Sequence, residues 1–175
     1  DMGLFRMGFG IEHGDEGFRK EVLRRNVSNK VIVENLAKLN ALDLKYSVNN
    51  IMGFPGETRQ LAFQTIELNR RIKADSANAY SFSPFHGTHL RIVSEEMGFC
   101  PPDLIARSAM KPTLLDMPQF RPHEIEGLRR CFTLYVRMPR ERWKDIEKAE
   151  ALTPEGDRIW EELRQECLEK YIALD

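Results

Sequence analysis

The feature that most restricts how this chain can fold is residues 48–58, VNNIMGFPGET. A short apolar run halts at Gly53, turns through Phe54-Pro55-Gly56 and restarts as a helix at Thr58. A strand ending in such a corner places backbone N–H groups and a helix N-terminus at one edge of a sheet. In α/β folds that is where ligands bind.

The same unit recurs on either side. Residues 4–12, LFRMGFGIE, alternate strictly, with Phe5, Met7, Phe9 and Ile11 on one face and Gly8, Gly10 and Glu12 on the other. A period of two predicts a strand, bulky on one side and nearly bare on the other until a carboxylate at its end. Because strand-like sequence begins by Leu4, the start reads as a cut inside a longer protein. His13-Gly14-Asp15-Glu16 turns into a helix with Phe18, Val22 and Leu23 inward, and Ser28 caps a second helix, Asn29 to Leu42. Tyr46 to Gly53 is the next strand, with Ser47, Asn49, Ile51 and Gly53 on its narrow face. After a helix from Thr58 to Lys73, Ala77 to Phe85 is the third. There Ala77, Ala79, Ser81 and Ser83 share one face, and Tyr80 and Phe82 the other.

Strands alternating with helices imply parallel pairing through crossovers. Parallel strands buried on both faces normally read as continuous Val, Ile and Leu. These three instead each keep a narrow, partly polar face. The expectation is an α/β fold: a partial barrel of three parallel strands whose interior holds a sizeable polar ligand, with the bulky faces turned to outer helices. An open, doubly wound sheet is the alternative. Beyond Gly87-Thr88 the pattern changes to a short helix at His89 to Met97 and a proline-punctuated segment. Helices follow at Pro122 to Arg137, Arg140 to Ala151 and Thr153 to Ala173. Residues 1–92 thus form the barrel part, and 93–175 a helical extension packed on it. Trp143 and Trp160 read as packing anchors.

Charge narrows the functional classes. With 26 Lys plus Arg against 27 Asp plus Glu, nothing argues for a nucleic-acid or anionic-membrane partner. No apolar run is long enough to span a bilayer and no secretory leader is visible, so the expected location is cytoplasmic. Cys100, Cys131 and Cys167 have neither disulfide nor metal-knuckle spacing and read as buried thiols. His13, His86, His89 and His123 are scattered, so no protein-bound metal is expected. Gly8-x-Gly10 has His13 where a dinucleotide fingerprint needs glycine, and Gly53 to Thr58 lacks a Walker lysine.

Glu12 is then the most informative residue: a carboxylate at the C-terminal end of a strand, on a glycine face, where barrel enzymes keep their binding groups. Its alternative role is to cap the following turn. Asn49, inward on the next strand, can donate and accept as ribose hydroxyls require. Arg25, near the end of the first helix, could equally be a cation serving the helix C-terminus.

GIEHGDEGFRKEVLRRNVS, NNIMGFPGET and YSFSPFHGTHL, in this order and at these separations, resemble the fourth to sixth strands of the radical S-adenosylmethionine (radical SAM) enzymes. The closest likeness is to the elongator-type group that includes cobalamin-binding members. It covers roughly residues 5 to 92, and TLYVRMPRERWKDIEKAE is similar to tails of the cobalamin-associated branch. The resemblance implies the second half of a (β/α)6 barrel that wraps a [4Fe-4S] cluster and SAM. Family members cleave SAM reductively to a 5′-deoxyadenosyl radical or pass a methyl group through cobalamin. It implies that Glu12 contacts the ribose or methionine part of SAM, Asn49 the ribose, Ile51 and Gly53 the adenine, and Arg25 (or Arg24) the carboxylate. Ser83 belongs to a segment whose backbone approaches adenine. The cluster-binding C-x-x-x-C-x-x-C loop is absent, as is the glycine-rich segment that meets SAM's amino group, and His86 stands where a proline is common. The resemblance therefore makes this chain inactive alone and its main partner the upstream half of its own barrel; the substrate is not specified. A non-catalytic α/β module binding a nucleotide or a protein, or a domain keeping only the barrel shape, are the competing readings.

Overall fold

The computed structural model describes residues 5–172. Three strands, β1 (Met7–Glu12), β2 (Tyr46–Met52) and β3 (Ser76–Ser81), form one parallel sheet in that order. Helices α1 (Glu16–Glu21) and α2 (Asn29–Ala41) connect β1 to β2, and α3 (Arg59–Ile72) connects β2 to β3. This is the expected α/β arrangement of three parallel strands flanked by helices, consistent with a partial barrel and followed by a helical C-terminal part.

Side-chain alternation decides which face the helices cover. In β2, Tyr46, Val48, Asn50 and Met52 are fully buried, whereas Ser47, Asn49 and Ile51 are only half-buried. The first set shares a core with Ala62, Ile66 and Ile72 of α3. Burying each large aliphatic side chain there contributes on the order of 1.5–3 kcal/mol. Asn50 is tolerated among them because Asn69 of α3 answers it. Each amide donates to the other's oxygen, at 3.1 and 2.9 Å, and Asn50 Nδ2 also reaches Asn78 O. The pair satisfies groups that would otherwise be costly to bury.

The third strand departs from expectation. Its register pairs Val48 with Ala77, Asn50 with Ala79 and Met52 with Ser81, so these small residues lie on the helix-covered side. Asn78 and Tyr80 instead stand beside Asn49 and Ile51 on the open face. The cause is α5 (Pro122–Arg137), which packs against β3. Thr133 Oγ1 donates to Ala77 O at 3.2 Å and Ser81 Oγ donates to Glu126 at 2.8 Å, an approach that only small strand residues permit. The strand is also shorter than expected, since Phe82 bonds Met52 O and the chain turns into Pro84. Phe5 lies before β1 and is exposed, while the expected strand start at Leu4 and helix end at Ala173 lie outside the described residues.

After α4 (His89–Glu96), a loop-rich segment leads to α5, a 3-10 turn (Arg140–Arg142), α6 (Trp143–Ala149) and α7 (Pro154–Lys170). The single helix expected over 140–151 is thus split at Arg142 and cut at Ala149. Arg130 takes the carbonyls of Ala149 and Ala151, which ends the helix. Arginines also tie the tail to the barrel part. Arg70 Nη1 donates to the carbonyls of Tyr135 and Met138, Arg137 to Asp75 O, and Arg59 makes a two-bond fork with Glu150 at 2.7 Å each. Trp143 packs on Phe63 and Tyr135, and Trp160 donates to Arg130 O, so both serve packing.

Candidate functional site

The corner after β2 satisfies itself. Gly53 has φ +83, which rotates the chain off the strand. Its N–H and that of Phe54 both donate to Glu57 Oε2, at 2.6 and 3.1 Å. Glu57 is fully buried, and its other oxygen meets His13 Nε2 at 3.1 Å. Because His13 Nδ1 accepts from Asp15 N, the imidazole proton sits on Nε2 and donates to Glu57. The N–H groups that the sequence offers to a ligand are therefore held by the chain's own carboxylate. A Cβ on Gly53 would meet Ile125 at 3.3 Å, so at the end of the strand this residue turns toward α5, and it does not line the cleft described next.

The cleft lies beside that corner, over the C-terminal ends of all three strands. It encloses about 420 Å³. Ile51, Phe54, Phe82, Val22 and Leu23 supply apolar walls, and Glu12, Arg24, Arg25, Ser83, Thr88 and His89 a polar rim. Four of the six sequence-derived candidates, Glu12, Arg25, Ile51 and Ser83, come together here. Asn49 does not line it. It sits on the same face, two residues down the strand from Ile51, roughly 7 Å at 3.3 Å per residue, and its Oδ1 accepts from Asn78 at 3.2 Å.

Glu12 and Arg25 form the polar end of this cleft. Arg25 Nη1 donates to Glu12 Oε1 at 2.9 Å, with the side chains 47% and 25% exposed, so both retain surface for a further partner. Glu12 has φ +68 at a ladder irregularity between Gly10 and Glu12, a conformation that costs a carboxylate residue about 1–3 kcal/mol and is typical of functional positions. A Cβ on Gly10 would run into Glu12 Oε1; the bare strand face is the space the carboxylate uses. Ser83 Oγ donates to Arg107 O at 2.6 Å, which anchors the segment after α4 over the end of β3.

Two buried guanidiniums hold the rim, and sequence reasoning missed both. Arg19, fully buried on α1, donates to His13 O at 2.6 Å, Val27 O at 2.7 Å and Asn29 Oδ1 at 2.8 Å. Burial lowers its pKa from the usual arginine value, opposed by Glu16 and Asp15. Arg91 of α4 donates to the carbonyls of Pro84, Leu104 and Pro102 and pairs with Glu95. Apart from Asn29 and Glu95, their acceptors are backbone carbonyls, which leave no side-chain signature to read.

The cysteines offer no cluster site. All three are buried free thiols, and burial raises each pKa, that of Cys131 to about 12. Among the described residues no group of three or more His, Cys, Asp or Glu could hold a metal ion, and no helix is long and apolar enough to cross a membrane.

No family model matches the chain. It is similar to a tRNA-2-methylthio-N(6)-dimethylallyladenosine synthase of Treponema pallidum (strain Nichols), 34% identical over 80 residues, which is 45% of this chain and 17% of that protein. A synthase of the same name from Malacoplasma penetrans is 28% identical over 88 residues, 50% of this chain and 18% of its own length. The chain thus covers under a fifth of these relatives. The similarity supports the radical SAM resemblance in its broad form and gives no support to the cobalamin-associated branch.

Proposed function

We propose that this chain is the C-terminal half of a radical SAM barrel and that the cleft at its strand ends takes the adenosyl group of SAM. The observation that carries the reading is the convergence of Glu12, Arg25, Ile51 and Ser83 on one cleft. Its volume falls within the roughly 300–1,000 Å³ of small-molecule sites, and it has the apolar body and sparse polar rim of such a site. Ile51, Phe54 and Phe82 would flank the base. Arg25 would take the carboxylate of the amino-acid end, and Glu12 its ammonium or a ribose hydroxyl. Asn49 would serve a part of the ligand lying further down the open face.

When bound beside a reduced [4Fe-4S] cluster, SAM supplies the radical chemistry of the family. The buried thiols here do not fit a cluster, so its ligands belong to residues outside this chain. What these residues contribute is binding, orientation and the exclusion of water from the apolar wall. The open sheet face and the outer edge of β1, which has no strand partner among the described residues, would receive the first half of the same barrel. The relatives' names specify a tRNA adenosine derivative, but the near-neutral charge and short shared stretch favour carrying over the cofactor-binding half only.

The test uses the full-length protein, reconstituted anaerobically with iron and sulfide. Iron–sulfur absorbance, SAM binding and 5′-deoxyadenosine release are expected, with SAM binding weakened by Glu12→Gln and Arg25→Gln. Wild-type affinity in both variants would reject the cleft as the SAM site.

A further inference from the structure

We propose that Arg19 is a positioning residue: without touching the cleft, it sets the Glu12–Arg25 pair and so the affinity for the amino-acid end of the ligand. This rests on the SAM reading above.

The two partners stand on separate segments, the end of β1 and the turn after α1. Each adjoins a non-glycine residue held at positive φ, Glu12 itself at +68 and Arg24 at +54. Such conformations persist only where the surroundings over-determine them. Arg19 is the group common to both segments. Its Nη1 bonds the carbonyl of His13, directly after Glu12, and its own carbonyl accepts the N–H of Arg25 at 2.9 Å. Nη2 fixes Val27 O and Asn29 Oδ1 beyond the turn. Asn29 closes the ring by donating to Gly14 O at 2.8 Å while its N–H meets Glu16 at 2.6 Å.

A role in folding alone does not account for this placement. Arg70 makes the same kind of bond, Nη1 to the carbonyls of Tyr135, Val136 and Met138, but far from the cleft rim and with no link to its strained residues. A lysine at either position keeps the charge and loses the planar fork that reaches several acceptors at once. The pair of substitutions therefore separates positioning from stability.

In the full-length protein, Arg19→Lys, Arg70→Lys and wild type are compared for binding of SAM and of 5′-methylthioadenosine, which keeps the adenosine and lacks the amino-acid end. Urea unfolding of each variant is measured alongside. Arg19→Lys is expected to weaken SAM by about tenfold, within the range of coupled neighbours, and to leave methylthioadenosine within about twofold. Arg70→Lys is expected to lower the urea midpoint without changing the ratio of the two affinities. In a Glu12→Gln background, Arg19→Lys should cost SAM affinity little more. Equal losses for both ligands, or additive losses with Glu12→Gln, would overturn the proposal. If Arg19→Lys does not fold, Asn29→Ala opens the same ring and must shift the same ratio. Wild-type protein that binds neither ligand would instead defeat the SAM reading and this inference with it.

Discussion

On the helix-covered face of β2, Tyr46, Val48, Asn50 and Met52 leave no surface to water, while Ser47, Asn49 and Ile51, offset by one residue, stay half-exposed. The covered face is closed by dense aliphatic contact and one reciprocal amide pair. The open face carries glycines, short polar groups, Ile51 and Tyr80 and, at its end, a strained carboxylate beside an arginine. Buried packing is therefore concentrated on one side of a single layer, and the proposed ligand chemistry falls on the other. A change should move one quantity and spare the other according to the face it touches.

The sharpest way to break that division is Ile66→Ala, which empties core space under β2. About 3 kcal/mol of stability should be lost, read from urea unfolding of the purified protein; a loss under about 1 kcal/mol would show that the covered face is not where stability resides. Glu57→Ala comes next. It strips the Gly53 and Phe54 N–H groups and His13 of their buried acceptor, so about 2–3 kcal/mol should be lost, and the corner should exchange its amide protons faster.

Alkaline stability tests the core of the tail. Burial pushes Cys131 up to about 12 from 9.0, so above pH 9 the unfolded chain releases a proton that the folded chain keeps. The unfolded state then binds fewer protons and stability falls as pH rises. This thiol contributes a slope of up to about 1.4 kcal/mol per pH unit between pH 9 and 12, and Cys131→Ala should remove it in unfolding curves taken across that range.

On the open face the effects should invert. Gly10→Ala places a methyl against the Glu12 carboxylate; SAM affinity by calorimetry should drop roughly tenfold, about the worth of one hydrogen bond to a charged group, with little change in unfolding. Asn49→Ala, the mildest change, loses one half-buried bond to Asn78 and should alter stability by no more than about 0.5 kcal/mol. A larger loss from Asn49→Ala would mean that the open face also carries the fold.

Much of this was legible before any coordinates. The three strands, their order along the chain, the helices and their Ser28, Thr58 and Thr153 starts follow from periods of two and 3.6 and from side-chain caps, all local properties. Glu12 and Ile51, two of the four candidates that line the cleft, could be placed there because strand alternation and position at a strand end depend on nearby sequence alone. The face of β3 was misread because Ala77, Ala79 and Ser81 are small for the sake of α5, which lies more than forty residues downstream. Strand alternation alone does not foresee that the positive φ of Gly53 turns the chain toward α5 at the end of the strand.

Local periodicity determined the α/β alternation, the narrow strand faces and the corner at residues 53–56. Tertiary structure alone decided which distant partner each polar group keeps: His13 for Glu57, Asn69 for Asn50, and the carbonyl of Tyr135 for Arg70. The physical reason is reach. A side chain's periodic position is set within a few residues, whereas a buried donor is satisfied by whatever acceptor the fold brings within about 3 Å of it.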